Sequence, residues 1–565
     1  MIGININGND STIKKAVYTF DTLLSILGVP YQIVIGDTID TSNYSLIISY
    51  GPSTHPDTFK TSIESGGFLI VIMFSDQSIP YVPPSSKQKT INDYSTILEN
   101  KLVRIGKGYT INIAEDIIAS TFYFLSREEE ISVEKDQHGR FECQSSIAYK
   151  SGFIQRPIVN EYVLLLSQMI TFAFKIKDLP LLQKMYWPDG KEFIVSLAHD
   201  IDWLSEPKRL LFKALSYFKK AVSLLMGRNF KELLDKSLIV IRSIGLSNNP
   251  KWNLQEVINL EERFGYKSTF YFLANSKNRY SGDIARYGTY NIQSRKIKRL
   301  FRTIVQRGWM IGLHGSYDSY NNGVKLASEK RILEDISGKN ITGLRQHYQR
   351  FSIPDTWRAQ EYAGLEYDST LGYSTTPGFR ASICLPFAVY NVLDQVSYKL
   401  IEIPFVVTDE PLSNLKEPAL ASKRIQEFLQ EVRNIVDTVR QYNGSMCLLW
   451  HPFEKYPGCG VAYEEILQYL KLSGAHVMPG EETVNWWKQR DSVHITCVNH
   501  HKNATDWVIH AEKDIENICF EIKHSGGKLS AQNLNSYKVI HENNVSYIRI
   551  PYLSTGQEFV LKYMK

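Results

Sequence analysis

The sequence predicts an α/β protein whose central part is a (β/α) barrel. From Lys191 to about Lys488, short apolar segments alternate with segments in which apolar residues recur at helical spacing and which often end at glycine. This repeated strand-then-helix order is typical of a parallel sheet, and there are enough repeats to close the sheet into a barrel. The chain before and after this region follows other patterns, which predict an N-terminal α/β domain and a small β-sandwich-like C-terminal domain.

Residues 1–116 are predicted to form the N-terminal α/β domain. Its strands are the apolar segments 29–35, 44–50 and 67–74, and the last is apolar almost throughout, as expected for a strand that is buried on both faces. Residues 117–190 are predicted to be a connector packed between domains, with an apolar helix at 160–174. The acids Glu128–Glu130 in this connector are typical of a solvated helix face.

Residues 191–490 form the predicted barrel. Its strands are expected, in chain order, at EFIVSLAH, STFYFLA, WMIGLH, ITGLRQH, LEYDSTL, KLIEIPFVV, MCLLWH and AHVM. Polar residues at the carboxyl ends of barrel strands are where catalytic groups usually lie. The ends of these strands are therefore the first place to look for a functional site.

An insertion at 207–245 follows the first predicted strand of the barrel. It is basic and amphipathic, with lysine and arginine interleaved with leucine, phenylalanine and valine. Such a helix can lie on an anionic membrane surface, and it can equally pack on the barrel as a helical hairpin with a basic outer face. We favour packing and keep peripheral membrane contact as the alternative.

The tail, residues 491–565, consists of short alternating segments such as WVIHA and ICFEIKH, separated by Asn, Gly and Ser. Helical periodicity is absent from these segments, so the tail is predicted to be a β-rich domain resembling a small sandwich.

Composition restricts the classes of protein that fit. A hydrophobic content of 43% with 22% charged residues is typical of a folded globular protein, and a net charge of +5 over 565 residues gives no reason to expect nucleic-acid binding. The six cysteines have no CxxC spacing, which argues against a zinc–thiolate site. The first residues lack a basic segment followed by an apolar one, so we expect a cytoplasmic protein, with membrane association as the alternative.

The segment SLAHDIDW at the end of the first barrel strand carries two acids, Asp200 and Asp202. Alternate residues of a strand point the same way, so these two carboxylates can face one site while His199 and Ile201 face the other side. Polar residues also end the other predicted strands: His314, Arg345, His347, Asp368, Glu402 and His451. So many histidines and acids at strand ends indicate a single functional site.

These residue types suit a hydrolytic metal centre. One carboxylate and two imidazoles, with an open position for water, can hold a divalent ion, of which zinc is the best fit to this donor set. Either Asp200 or Asp202 can be the general base while the other binds the metal, and His451 can approach from another strand as the general acid.

The order of these motifs resembles the polysaccharide deacetylase family, also called the NodB-homology or carbohydrate esterase family four fold. AHDID resembles its first motif, GLHGSYDSY its second, GLRQHYQRF its third, YDSTL its fourth and LLWHPF its last. The resemblance covers residues 191–490. It implies a deformed (β/α) barrel and a metal-dependent hydrolase that removes acetyl from an N-acetylated amino sugar of an oligosaccharide, polysaccharide or glycan precursor.

The resemblance also implies the roles of individual residues. Asp200 would be the general base and Asp202 a metal ligand, although Ile201 separates acids that the family keeps adjacent, so the two roles could be exchanged. His314 would be the second ligand. The third ligand of the family lies four residues after the second, which is Asp318 here, and His347 is the alternative that we rank above it.

The remaining implied roles concern the acid and the substrate. His451 would be the general acid, and Arg345 would orient the catalytic acid or hold it charged. Asp368 would support the orientation of a histidine or of Arg345. Three residues are assigned to substrate binding: Tyr348, Trp203 and Trp450. Tyr348 would bind through its backbone N–H, and the two tryptophan rings would stack on sugar.

Two alternatives remain open from the sequence. The departures at Ile201 and Asp318 would suit a catalytically inactive glycan-binding protein on the same fold. Paired aspartates are also used by glycoside hydrolases, although two acids on one strand lie on the same side of a substrate rather than flanking the bond.

Overall fold

A computed structural model describes residues 1–36, 39–40, 43–52, 56–75, 80, 94–202, 253–274, 290–413, 418–452, 458–501 and 504–565. The predicted insertion at 207–245 and Trp203 lie outside these residues. None of the helices in the described ranges is long and apolar enough to span a bilayer.

The N-terminal part is a six-stranded sheet covered by helices. Its strands are β1 (Ile2–Ile6), β2 (Tyr31–Ile35), β3 (Leu46–Tyr50), β4 (Phe68–Ile72), β5 (Leu102–Ile105) and β6 (Gly108–Ile113), in the sheet order β2-β1-β3-β4-β6-β5. β5 runs antiparallel to β6, and the other pairs are parallel. The helices are α1 (Asp10–Leu27), α2 (Lys60–Glu64), α3 (Tyr94–Lys101) and α4 (Ile117–Ser126).

The connector contains α5 (Ile147–Lys150), α6 (Ile158–Ile176) and β7 (Leu181–Lys184). α6 is the apolar helix predicted at 160–174, extended by two residues at each end. The prediction of a solvated acidic face at Glu128–Glu130 was wrong for Glu130, which is fully buried. Its carboxylate accepts hydrogen bonds from Arg127 at 2.9 Å and from Arg380 at 2.9 and 2.6 Å. A buried carboxylate held by two guanidinium groups ties the connector to the central part of the chain.

The central sheet contains ten strands: β8 (Ile194–Ile201), β9 (Thr269–Leu273), β10 (Met310–Gly315), β11 (Gly343–Gln346), β12 (Tyr367–Asp368), β13 (Phe387–Asn391), β14 (Val396–Glu402), β15 (Phe405–Thr408), β16 (Ser445–Leu449) and β17 (His476–Val477). Its helices are α7 (Leu254–Phe264), α8 (Arg295–Gln306), α9 (Gly323–Ser337), α10 (Asp355–Tyr362), α11 (Pro418–Gln441), α12 (Cys459–Leu472) and α13 (Gly480–Asp491).

Parallel pairing runs through β14-β12-β11-β10-β9-β8-β16-β15, which confirms the predicted parallel sheet. β14 and β15 stand at opposite ends of this order, yet only Ile403 and Pro404 separate them in the chain. So short a link spans at most about 11 Å, so the sheet must curl until its two ends meet. The result is an incomplete barrel, in which the chain segment at Pro404 connects the two end strands, β14 and β15.

Pro404 also explains a difference from the sequence prediction. KLIEIPFVV was predicted as one strand, but it forms the end of β14 and most of β15, because proline has no N–H to donate to a neighbouring strand. β13, which pairs antiparallel with β14, was not predicted. The hydroxyl of Tyr18 in α1 donates to the carbonyl of Ala388 in β13 at 2.7 Å, so the N-terminal part contacts this edge of the central sheet.

The tail forms two four-stranded sheets from β18 (Val493–His501), β19 (Ala504–Ala511), β20 (Ile515–Lys523), β21 (Lys528–Gln532), β22 (Lys538–Glu542), β23 (Val545–Leu553) and β24 (Glu558–Met564). The sheet orders are β18-β19-β24-β21 and β22-β23-β20-β7, so the second sheet takes its last strand from the connector. Burial alternates along β19, as expected for strands with one covered face.

Candidate metal centre

The acids of β8 face one side of the strand, as the alternation predicts. The carboxylates of Asp200 and Asp202 both lie close to the ring of His314. His199 faces the opposite side, where its Nε2 lies 2.7 Å from Oε1 of Glu261 and its Nδ1 lies 2.6 Å from the carbonyl of Trp450. His199 is therefore a buried structural residue, and the two carboxylates belong to the site.

Three potential metal-ligand atoms, one each from Asp202, His314 and His347, lie close together. Oδ1 of Asp202 lies 3.2 Å from Nε2 of His314 and 3.4 Å from Nδ1 of His347, and the two nitrogens are 2.9 Å apart. Nδ1 of His314 lies 2.8 Å from the carbonyl oxygen of Arg345. A carbonyl can only accept, so Nδ1 carries the proton and Nε2 presents its lone pair in the neutral ring.

This donor set fits a divalent cation. In a tetrahedral zinc site with bonds of about 2.1 Å, ligand atoms lie about 3.4 Å apart. The two separations from Asp202 are close to this value, and the two nitrogens, at 2.9 Å, lie closer together. Oδ1 of Asp202 is buried, and no donor in the described residues meets it with hydrogen-bond geometry. Burial alone would raise the pKa of Asp202, but the imidazoles of His347, His314 and His451 outweigh it and hold the pKa well below its ordinary value. Asp202 therefore stays ionised, as a metal ligand must.

Asp200 lies beside Arg345 rather than among the three donors. Nε of Arg345 is 3.7 Å from Oδ1 of Asp200, and the guanidinium is fully buried. It also donates to the hydroxyl of Ser369 at 2.9 Å and to Sγ of Cys447 at 3.1 Å. Arg345 was expected to orient the catalytic acid or hold it charged. The carboxylate that it lies beside is that of Asp200, the candidate base.

His451 is held from behind by Asp409, a residue that the sequence analysis missed. Oδ1 of Asp409 lies 2.6 Å from Nδ1 of His451, and Oδ2 accepts the backbone N–H of the same residue at 3.3 Å. Nε2 of His451 then faces the site, 4.0 Å from Oδ2 of Asp202. Asp409 follows directly after β15, so the rule that pointed to other strand ends would have found it.

Two of the other predicted site residues lie away from the three donors. Asp318 is half-exposed and pairs with Arg350 at 3.7 Å, so His347 and not Asp318 stands with Asp202 and His314. Trp450 is fully buried and stacks on Tyr463 at a ring distance of 5.4 Å, so its indole lies in the core, where a sugar cannot reach it.

Asp368 lies opposite Glu402 in the register of β12 and β14, and both carboxyl groups are fully buried. Thr370 donates to Asp368 at 2.5 Å, and the backbone N–H of Leu371 donates to Glu402 at 3.1 Å. Burial raises the pKa of Asp368 to about 6, and burial together with Asp368 raises that of Glu402. The two groups therefore form a carboxyl pair that favours a shared proton.

A strained turn follows His347. Tyr348 and Gln349 have φ angles of 60° and 53°, in the left-handed region that residues with a Cβ rarely adopt. The ring of Tyr348 packs against that of His138 from the connector, at a centroid distance of 4.8 Å. Arg350 donates to the carbonyl of His138 at 2.8 Å, and Nδ1 of His138 lies 3.1 Å from the hydroxyl of Tyr317. The connector thus supports the turn that positions His347.

A comparison with protein-family models matches the N-terminal part of the chain. Residues 4–175 match a family of unknown function (DUF7033), a region that ends before β8. The search of curated proteins found no match.

Solved structures are similar to about half of the chain. One is an inferred polysaccharide deacetylase from Mycobacterium smegmatis, with 17% identity, a TM-score of 0.36 and coverage of 56% of this chain and 97% of that chain. The polysaccharide deacetylase of Bacillus cereus has 12% identity, a TM-score of 0.26 and coverage of 50% and 90%. A CE4 family pseudoenzyme from Bacillus anthracis has 11% identity, a TM-score of 0.25 and coverage of 52% and 65%.

Proposed function

We propose that this protein is a metal-dependent hydrolase that removes the acetyl group from an N-acetylated amino sugar of a glycan or glycan precursor. The observation that carries the proposal is the convergence of Asp202, His314 and His347, with Asp200 and His451 next to them. The motif order read from the sequence supports a barrel of the polysaccharide deacetylase type.

The residues around the three donors divide into a base and an acid. A divalent ion held by Asp202, His314 and His347 would supply Lewis acidity toward a water molecule and the acetyl carbonyl. Asp200, held by the Arg345 guanidinium, accepts the proton of the attacking water. His451 presents Nε2 to the site, and Asp409 stabilises the imidazolium form of the ring through Nδ1–H, so that Nε2–H donates a proton to the departing nitrogen. Water and amide are thereby converted to acetate and amine.

Acetate release tests the proposal. The full chain is incubated with zinc and an N-acetylglucosamine oligomer, and acetate is measured before and after chelation. We expect release that chelation abolishes and that Asp200→Asn or His451→Ala lowers about 10²- to 10⁴-fold. His314→Ala should also lose bound metal, whereas Asp318→Asn is the matched control and should behave as wild type.

Other results would point to other functions. Sugar binding without acetate release from the zinc-loaded wild type would indicate an inactive glycan-binding protein. New reducing ends that still form after chelation would indicate a glycoside hydrolase that uses Asp200 and Asp202.

A further inference from the structure

Helix α8 has a strongly basic outer face. Its apolar residues Ile297, Phe301 and Ile304 are buried against the rest of the protein. The side chains that point to solvent include five cations, and the sequence of the helix, RKIKRLFRTIVQ, contains no acidic residue. We call this surface the α8 basic face and define it by Arg295, Lys296, Lys298, Arg299 and Arg302.

The described residues do not neutralise this face. Across the described parts of the chain, no carboxylate lies within ion-pair distance of any of its five cations. The nearby acids are used elsewhere, since Glu262 of α7 pairs with Arg307 and Glu334 of α9 pairs with Lys330 at 2.6 Å. Within the part of the chain that the structure describes, the α8 basic face therefore lacks counter-charges.

The placement of these cations also lowers the stability of helix α8. Arg295 and Lys296 occupy the first turn, where the helix dipole is positive and repels cations. Arg295 and Arg299 are four residues apart, as are Lys298 and Arg302, and like charges at this spacing destabilise a helix. Helix stability therefore does not account for the pattern, whereas an anionic partner would.

We propose that the α8 basic face binds the surface of an anionic phospholipid bilayer. Arg295, Arg299 and Arg302 follow the spacing i, i+4 and i+7, so they line one side of the helix over about 10 Å. The phosphates of a planar lipid surface can bind all three arginines simultaneously. Guanidinium groups bind phosphate in a bidentate geometry. Single-stranded nucleic acid is a poorer fit, because the exposed side of α8 offers no aromatic ring for base stacking.

The position of α8 gives this contact a consequence for the metal centre. Tyr290, five residues before α8, accepts the backbone N–H of Leu273 at 2.7 Å, at the carboxyl end of β9. β9 runs parallel to β8 with Tyr271 opposite Asp200, so this end of β9 lies at the edge that carries the metal centre. A bilayer on α8 would thus approach the same edge, where a lipid-linked sugar could be reached. The binding itself does not depend on the proposed hydrolase activity.

Vesicle binding tests the proposal with a matched control. The full chain is sedimented with vesicles of phosphatidylcholine alone and with about 30% phosphatidylglycerol added. The test variant is Arg295→Gln with Arg299→Gln and Arg302→Gln, since glutamine is a good helix former. The control is Lys513→Gln with Lys528→Gln and Lys538→Gln, three exposed tail lysines whose loss changes net charge equally.

We expect wild type and control to bind the anionic vesicles, to dissociate from them at high salt and not to bind neutral vesicles. The α8 variant should bind at least about tenfold more weakly with an unchanged circular dichroism spectrum. Absence of binding by wild type, equal loss in both triple variants, or capture of wild type by single-stranded DNA but not by vesicles would overturn the proposal. These readouts need no acetate release, so failure of the hydrolase proposal would be seen separately.

Discussion

Nε2 of His314 and Nδ1 of His347 lie 2.9 Å apart, and both face Oδ1 of Asp202. Two imidazole nitrogens at this distance need a proton or a cation between them, because two lone pairs would repel. The backbone carbonyl of Arg345 fixes the proton of His314 on the far nitrogen. Without a metal, Nδ1–H of His347 can donate to Nε2 of His314, and a cation can take the place of that proton among the three donor atoms.

Asp409 is predicted to control His451 without touching the metal. Asp409→Asn removes the carboxylate that holds Nδ1–H of His451 and stabilises the imidazolium form, so the ring becomes a poorer proton donor. We expect kcat for acetate release to fall about 10²- to 10⁴-fold. Zinc affinity, measured by calorimetric titration, should stay at the wild-type value. A parallel loss of zinc would show that Asp409 is a ligand instead.

His138 is predicted to support the metal centre from the connector. His138→Ala removes the ring that packs against Tyr348 and so loosens the strained turn after His347. Groups that orient metal ligands typically affect affinity by about 10- to 100-fold, so we expect zinc affinity to fall within that range. His494→Ala, in the exposed tail strand, is the control. Unchanged zinc affinity in His138→Ala would mean that the turn holds without the connector.

Glu130 is predicted to stabilise the fold most at neutral pH. Burial alone would raise the pKa of its carboxyl, but Arg380 and Arg127 outweigh burial and bring the pKa to about 2. Its contribution to the free energy of unfolding is therefore present above about pH 4.5 and is lost as the pH falls toward 2. Glu130→Gln should destabilise the protein by about 3–5 kcal/mol at pH 7, because the Arg380 guanidinium remains buried without a counter-charge, although Arg127 keeps Glu129. Urea unfolding checks this, and a loss below about 1 kcal/mol would contradict it.

Asp368 should show the opposite dependence on pH. Burial raises the pKa of this carboxyl to about 6, so the folded state favours its protonated form. The stability that this proton provides is present below about pH 4 and is lost as the pH rises through 6. Asp368→Asn should therefore flatten the decline in unfolding free energy between pH 4 and pH 7, with zinc retained. A variant that kept the wild-type slope but lost zinc would place Asp368 in the metal centre.

The sequence predicted the strand-end residues well where a simple period applies. Alternation along β8 placed Asp200 and Asp202 on one face, and the strand ends supplied His314, Arg345, His347 and His451. Pro404 divides a predicted strand into β14 and β15, and Asp409, directly after β15, was missed although the strand-end rule applies to it. His138 could not be predicted, because its contact with Tyr348 joins positions more than two hundred residues apart. Trp450 shows the limit of residue type alone, since an aromatic ring suits a sugar site and a core equally well.

The most direct test of the metal centre is anomalous diffraction from crystals of the full chain grown with zinc. We expect one strong peak about 2.0–2.2 Å from a carboxylate oxygen of Asp202, Nε2 of His314 and Nδ1 of His347, with a fourth position open. A zinc peak on Asp409 and His451 would contradict this assignment. So would the absence of a peak between His314 and His347 in crystals where zinc fully occupies another site.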